Sequence, residues 1–151
     1  MVFCSREHSG GLIVKTAIFS TYDDGGAGIA ALRLHKALQQ AGTDSTFFYR
    51  WRAQEQAIKH GQQMDSAEVM NDVFDLWAEC DFRRNIRPDS TICSVMYPSV
   101  GFDFLQDMWE YDIFHFHWIT SFLSWEALNY LGQMGKPMLW TLHDQNPMTW
   151  A

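Results

Sequence analysis

Four small groups of residues carry types and spacings that can do chemistry. His115 and His117 stand two apart in Asp112-Ile113-Phe114-His115-Phe116-His117-Trp118. His143 and Asp144 directly follow the apolar run Met138-Leu139-Trp140-Thr141-Leu142. Gly25, Gly26, Ala27 and Gly28 form a glycine-rich stretch, and Asp23 and Asp24 lead into it. Each group admits a chemical and a purely structural role. On a strand, two residues two apart point to one face, so His115 and His117 can begin a metal site. A metal site needs further ligands, and the near candidates are His143, Asp144 and the cysteines. Equally, one histidine can hydrogen-bond within a sheet while the other lies at its rim. His143 can offer a neutral imidazole to a sugar hydroxyl, with the neighbouring Asp144 fixing its tautomer; alternatively it is a loop histidine and Asp144 caps the next turn. Asp23 and Asp24 either cap a helix or accept a hydroxyl from a substrate.

The glycine stretch owes its meaning to its flanks. Residues 13–20, Ile-Val-Lys-Thr-Ala-Ile-Phe-Ser, are rich in β-branched and aromatic types and read as a strand. Beyond the glycines, Ala27, Ala31, Leu34, Leu38 and Ala41 recur at three- and four-residue steps, the period of one buried helix face, and Gly42 ends the run. Strand, glycine turn and helix open a βαβ unit. Such a turn collects free backbone N–H groups at the positive end of a helix dipole, which suits an anion. The glycines spell neither Gly-x-Gly-x-x-Gly nor the Gly-Lys-Ser/Thr of a P-loop, so the same residues also fit a tight strand-to-helix turn that merely needs small side chains.

The rest of the chain continues the alternation. Residues 1–12 read as a flexible leader. Residues 45–51 are a second strand, and the intervening helix has the length a parallel crossover needs. Residues 53–64 are polar and glutamine-rich, a surface loop or marginal helix. Residues 66–84 pattern as a helix, with Ser66 as cap; residues 92–97 are a short strand and 104–109 a brief helix. Residues 112–118 are a strand of the kind covered on both faces, 122–134 a helix, and 138–142 a further buried strand. The expected fold is therefore α/β, a parallel sheet flanked by helices. In such sheets ligands sit beyond the carboxyl ends of the strands. The turn at 23–28, the end of the His115 strand and His143-Asp144 all fall there and can converge on one crevice.

Totals narrow the classes. At 151 residues the chain is one domain or less. A formal charge of −7 argues against a nucleic-acid partner. Cys4, Cys80 and Cys93 are odd in number and lack Cys-x-x-Cys spacing, which fits neither a disulfide framework nor a zinc ribbon and points to a reducing compartment. No apolar run reaches the length of a membrane span, and no secretory signal pattern is present.

Three blocks together resemble a known family. Asp24-Gly25-Gly26-Ala27-Gly28 and the helix through Leu38, Asp112-Ile113-Phe114-His115-Phe116-His117-Trp118-Ile119, and Lys136-Pro137-Met138-Leu139-Trp140-Thr141-Leu142-His143-Asp144-Gln145-Asn146-Pro147-Met148-Thr149 are similar to the N-terminal domain of GT-B glycosyltransferases. The nearest group is family 4, retaining enzymes of bacterial polysaccharide synthesis of the colanic acid type. The resemblance implies a partial N-terminal Rossmann-like lobe over residues 13–151, with a C-terminal donor-binding lobe outside this sequence. It implies transfer of a sugar from a nucleotide-sugar donor to a sugar or lipid-linked hydroxyl acceptor, with no metal and no cofactor. By the same resemblance Gly25, Gly26, Ala27 and Gly28 approach the donor diphosphate. His143 contacts the donor sugar, with Asp144 beside it as the second catalytic residue, and Asp23, Asp24, His117 and Trp118 shape the acceptor or sugar cleft. The implied location is cytoplasmic, or peripheral at the inner face of a membrane. The family usually continues after the Pro-x-Thr with a Gly-Gly-Cys-His type segment, whereas this sequence reads Thr149-Trp150-Ala151 and stops; with the second lobe absent this chain alone is expected to be inactive. Two other readings stand beside it: a non-catalytic binding lobe acting with a separate partner chain, and a metal-dependent hydrolase using His115 and His117.

Overall fold

The computed structural model describes residues 13–53, 57–64 and 100–143. The expected helix at 66–84, the strand at 92–97, the leader at 1–12, Asp144 and all three cysteines lie outside the described residues. Along the chain come β1 (Lys15–Tyr22), α1 (Gly25–Gln40), β2 (Asp44–Trp51), β3 (Gly61–Gln63), α2 (Phe102–Asp107), a 3₁₀ turn (Met108–Glu110), β4 (Ile113–Phe116), α3 (Trp125–Gln133) and β5 (Met138–Trp140). The five strands form one sheet in the order β3-β2-β1-β4-β5, and every neighbouring pair is parallel. Helices flank the sheet, giving a Rossmann-like α/β arrangement. No helix among the described residues is long and apolar enough to cross a membrane.

β1 is the spine, and its alternation builds two cores. Ala17 and Phe19 face the side carrying α2 and α3, where Phe19 stacks on Phe48 at 5.2 Å and on Phe116 at 5.3 Å. Phe104, Met108, Leu123, Leu128 and Leu131 close that layer. Ile18 faces the other side with Phe47 and Tyr49, against Ala31 and Leu32 of α1. Each fully buried large apolar side chain contributes roughly 1.5–3 kcal/mol, so the aromatic cluster around Phe19 dominates the packing. The register sets Ile18 opposite both Phe47 and His115, which puts His115, and with it His117, on the α1 face.

Several elements differ from the sequence expectation. Residues 53–64 contain a strand: β3 pairs with β2 from Phe47↔Gly61 to Tyr49↔Gln63. Its three residues, Gly-Gln-Gln, carry no β-forming side chains; backbone pairing alone makes it, and the approach is fixed from outside. His35 and Gln39 of α1 both bond the Lys59 carbonyl, at 2.7 and 3.3 Å. That explains a second difference. The buried stripe of α1 runs through Gly28, Ala31, Leu32 and His35, while Leu34 and Leu38 are only partly buried and Ala27 sits at the half-buried rim. A buried imidazole was not legible as part of that face. α1 also begins earlier than the apolar period does, at Gly25, whose φ of 63° turns the chain out of β1. α3 starts at Trp125 rather than 122, because Ser124 caps it by accepting from the Ala127 N–H at 3.2 Å. The brief helix expected at 104–109 is α2 continued by the 3₁₀ turn, and β4 and β5 are shorter than the apolar runs that mark them; β5, expected to be buried, ends the sheet among the described residues with Met138 and Leu139 exposed.

Candidate functional site

The strand order makes β1 and β4 the neighbours between which the chain reverses its direction of winding. At that point the loops after the two strands diverge and leave a crevice at their carboxyl ends. A cleft of about 450 Å³ opens there. Ser20 and Tyr22 from the end of β1 line it, as does the turn Asp24-Gly25-Gly26-Ala27-Gly28. Trp118, after β4, and His143, after β5, line it from the other half of the sheet. The glycine turn, the end of the His115 strand and His143 therefore meet at one place.

The turn is shaped by close approach. A Cβ on Gly28 would lie 2.6 Å from the Tyr22 carbonyl oxygen and 2.9 Å from the Asp23 carbonyl carbon, both backbone. No side chain fits there, and α1 can begin hard against β1. Gly26 has nothing within 4 Å of its Cβ position, so its lack of a side chain leaves the cleft open rather than relieving a clash. The first turn of α1 contains no acidic residue, and Asp24 occupies the N-cap position without a side-chain cap bond. The first N–H groups of the helix thus carry no side-chain cap, and the exposed Asp24 carboxylate, which lines the same cleft, stands as a negative charge beside them.

Asp23 is placed differently from Asp24. It is wholly buried, and its Oδ1 accepts from the Ala53 N–H at 2.6 Å. It ties the β1–α1 turn to the end of β2 and does not line the cleft. Asp24 is exposed and does. On the other half, the Thr21 N–H donates to the Trp118 carbonyl at 2.6 Å, and the single Thr21 hydroxyl proton goes to the Thr120 carbonyl at 2.6 Å, with the Trp118 carbonyl also within reach at 3.0 Å. Trp140 Nε1 donates to the His117 carbonyl at 3.0 Å. These bonds hold the end of β4 against β1 and fix where Trp118 stands.

The histidines form a row. His115 and His117 stack at 4.9 Å, and His117 and His143 at 5.2 Å. His117 Nδ1 and His143 Nε2 are 3.0 Å apart and share one proton in a hydrogen bond; His115 Nε2 bonds the Thr141 hydroxyl at 2.8 Å. Burial lowers the pKa of His117 to about 4, helped by His115 and His143 beside it. Burial also lowers that of His115. At neutral pH His117 is an uncharged imidazole, and its hydrogen bond and ring stacking hold the His143 ring. Among the described residues no group of three or more His, Cys, Asp or Glu side chains can hold a metal ion.

Two buried side-chain atoms have no hydrogen-bond partner among the described residues, Ser20 Oγ and His117 Nε2. Both belong to the carboxyl ends of β1 and β4 on the α1 face; Ser20 lines the cleft, whereas His117, expected there from sequence, is buried behind His143 and does not line it. Ser20 and Tyr22 were missed as cleft residues from sequence. The signal was present: both keep the parity of Ile18 at the strand end nearest the glycine turn.

Compared with known proteins, the chain matches no family model, no curated protein and no solved structure.

Proposed function

We propose that this chain is the N-terminal lobe of a GT-B glycosyltransferase resembling family 4, and that the cleft at the β1–β4 switch point receives the diphosphate and sugar of a nucleotide-sugar donor. The observation that supports this reading most is the meeting of an uncapped helix N-terminus, Gly25–Gly28, with His143 across one cleft of about 450 Å³. Departure of a nucleoside diphosphate develops negative charge, and catalysis of this kind rests on positioning and on stabilising that charge. Backbone N–H groups at the start of α1 supply preorganised donors for it, and the side-chain-free Gly26 lets the phosphate oxygens approach. His143 is the hydrogen-bonding group for a sugar hydroxyl, held in place by neutral His117. Asp24 and Trp118 border the sugar, and the acceptor hydroxyl enters past them. Asp144 keeps the role the resemblance gives it. A second Rossmann-like lobe carries the nucleotide and closes over this one, so this lobe by itself is inactive in transfer.

Titrating the chain with UDP-glucose and reading amide and imidazole NMR shifts tests the proposal. The reading expects shifts at residues 25–28 and at the His143 ring, with the affinity reduced in His143→Ala. Shifts elsewhere and none at these residues would contradict it. Sugar transfer catalysed by the chain without any second lobe would contradict the half-site part of the proposal.

A further inference from the structure

One proton sets the polarity of the histidine row. It lies between His117 Nδ1 and His143 Nε2, 3.0 Å apart, and either ring can own it. The other nitrogen of His117, Nε2, is buried without a partner among the described residues, and so is Ser20 Oγ. The two residues are neighbours. β1 and β4 run in register through Ile18↔His115 and Phe19↔Phe116, and the His117 N–H continues the ladder to the Phe19 carbonyl at 3.0 Å. Ser20 and His117 come next, on strands about 4.8 Å apart. Both keep the parity of Ile18 and His115, so their side chains share the α1 face. Ser20 is wholly buried and His117 is 4% exposed, yet no direct hydrogen bond joins Oγ to Nε2.

We infer that Ser20 sets this polarity: its hydroxyl, through one buried water, supplies a proton donor to His117 Nε2 and thereby makes His143 a hydrogen-bond donor to the cleft rather than a base. The two unpaired atoms are chemically complementary. A hydroxyl has a proton to give, and a neutral imidazole nitrogen is either donor or acceptor. Buried N–H groups without an acceptor are rarer than buried acceptors left short of a donor. The His117 proton therefore belongs on Nδ1, where His143 Nε2 accepts it, and Nε2 is left as the acceptor that Ser20 can serve. One water completes both atoms, as buried waters do for polar groups that cannot meet directly. Ser20 lines a cleft of about 450 Å³, which gives that water room and a way in. The chain of bonds then runs from the Ser20 O–H to the water, from the water to His117 Nε2, and from His117 Nδ1–H to His143 Nε2. That leaves the His143 proton on Nδ1. With Nε2 occupied and Nδ1 protonated, the exposed His143 ring has no free lone pair. It donates to a ligand oxygen and cannot take a proton from a hydroxyl. Ser20 acts only through His117, as a positioning residue. The inference deepens the proposed reading of His143 and rests on that reading only for which ligand oxygen the ring meets.

The test is long-range ¹⁵N–¹H NMR of the imidazole rings in the full chain at neutral pH without ligand, which reads the nitrogen that carries each proton. The expected result is Nδ1–H on both His117 and His143. In Ser20→Ala the His117 Nε2 resonance is expected to move and His143 to become a mixture of tautomers, while Ser20→Thr, which keeps the hydroxyl, restores the wild-type pattern. A magnetisation-transfer contact between a long-lived water and the His117 ring is expected in the wild type and lost in Ser20→Ala. Nε2–H on either ring of the wild type, the lack of that water contact, or an unchanged His143 tautomer in Ser20→Ala would overturn the inference. The wild-type spectrum decides the matter even where a variant does not fold. No ligand is present in this experiment, so its failure leaves the donor site standing. Unmoved amides at residues 25–28 with UDP-glucose would instead remove the donor reading and leave the tautomers as read.

Discussion

Acidification is a sharp probe of the histidine row, because its sign and size follow from one residue. His117 is 4% exposed, and its pKa in the folded chain falls from 6.5 to about 4. Above 6.5 the imidazole is neutral in both folded and unfolded chains, and the stability is fully present. As pH falls below 6.5 the unfolded chain takes up a proton that the folded chain refuses, and stability drops by about 1.4 kcal/mol per pH unit. The loss ends near pH 4, where the folded imidazole also protonates. Over that window His117 alone accounts for about 3 kcal/mol, a large part of the ~5–15 kcal/mol of a typical domain. Carboxylates add their own acid losses, so the measurement is a difference. Urea unfolding of the wild type and of His117→Phe at about pH 7 and about pH 4.5 isolates the term. Phenylalanine keeps a flat ring, removes the unpaired Nε2 and cannot titrate. The variant is expected to lose markedly less stability on acidification than the wild type. Equal losses in the two proteins would refute the burial argument and place His117 in contact with bulk water.

Further outcomes follow from single positions. Gly28→Ala is expected to destabilise the fold by about 1–3 kcal/mol through overpacking against the Tyr22 carbonyl, whereas Gly26→Ala, with open space around it, stays within ~0.5 kcal/mol; thermal unfolding reads both. Gly26→Glu separates folding from binding: a carboxylate in the first turn of α1 favours the helix by about 0.3–1 kcal/mol, yet should abolish pyrophosphate binding at the same turn. Ser124→Ala removes the cap of α3 and is expected to cost ~1 kcal/mol, read as a lower urea midpoint. Phe19→Ala opens a cavity between Phe48 and Phe116 and should cost about 3–5 kcal/mol, read as a large drop in the urea midpoint.

The parallel sheet was legible because its signals are local and strong. The β-branched run before Gly25 and the apolar runs around Phe114 and Leu139 each mark a strand, and the helical period between 27 and 41 supplies the crossover. What escaped was whatever tertiary contacts decide. β3 has no strand-forming side chains and exists because β2 offers a free edge and α1 bonds the Lys59 carbonyl. His35 looks like a surface residue between Leu34 and Lys36, yet it bridges Ser45 at 2.9 Å and Lys59, and burial lowers its pKa. At the site, the convergence of the glycine turn with His143 was readable from strand ends alone. The separate fates of Asp23 and Asp24 were not, because adjacent carboxylates differ only in which one the fold turns toward the Ala53 N–H. Tyr22 and Trp51 read simply as strand residues; their ring contact needed the register.

The central claim is that the start of α1 binds the diphosphate of a donor. An amide NMR titration of the full chain with inorganic pyrophosphate, repeated with Gly26→Glu, tests it most directly. The account predicts saturable shifts at Gly25, Gly26, Ala27 and Gly28 in the wild type and none in the variant. Unmoved amides at these four residues in the wild type, at millimolar pyrophosphate, would contradict it.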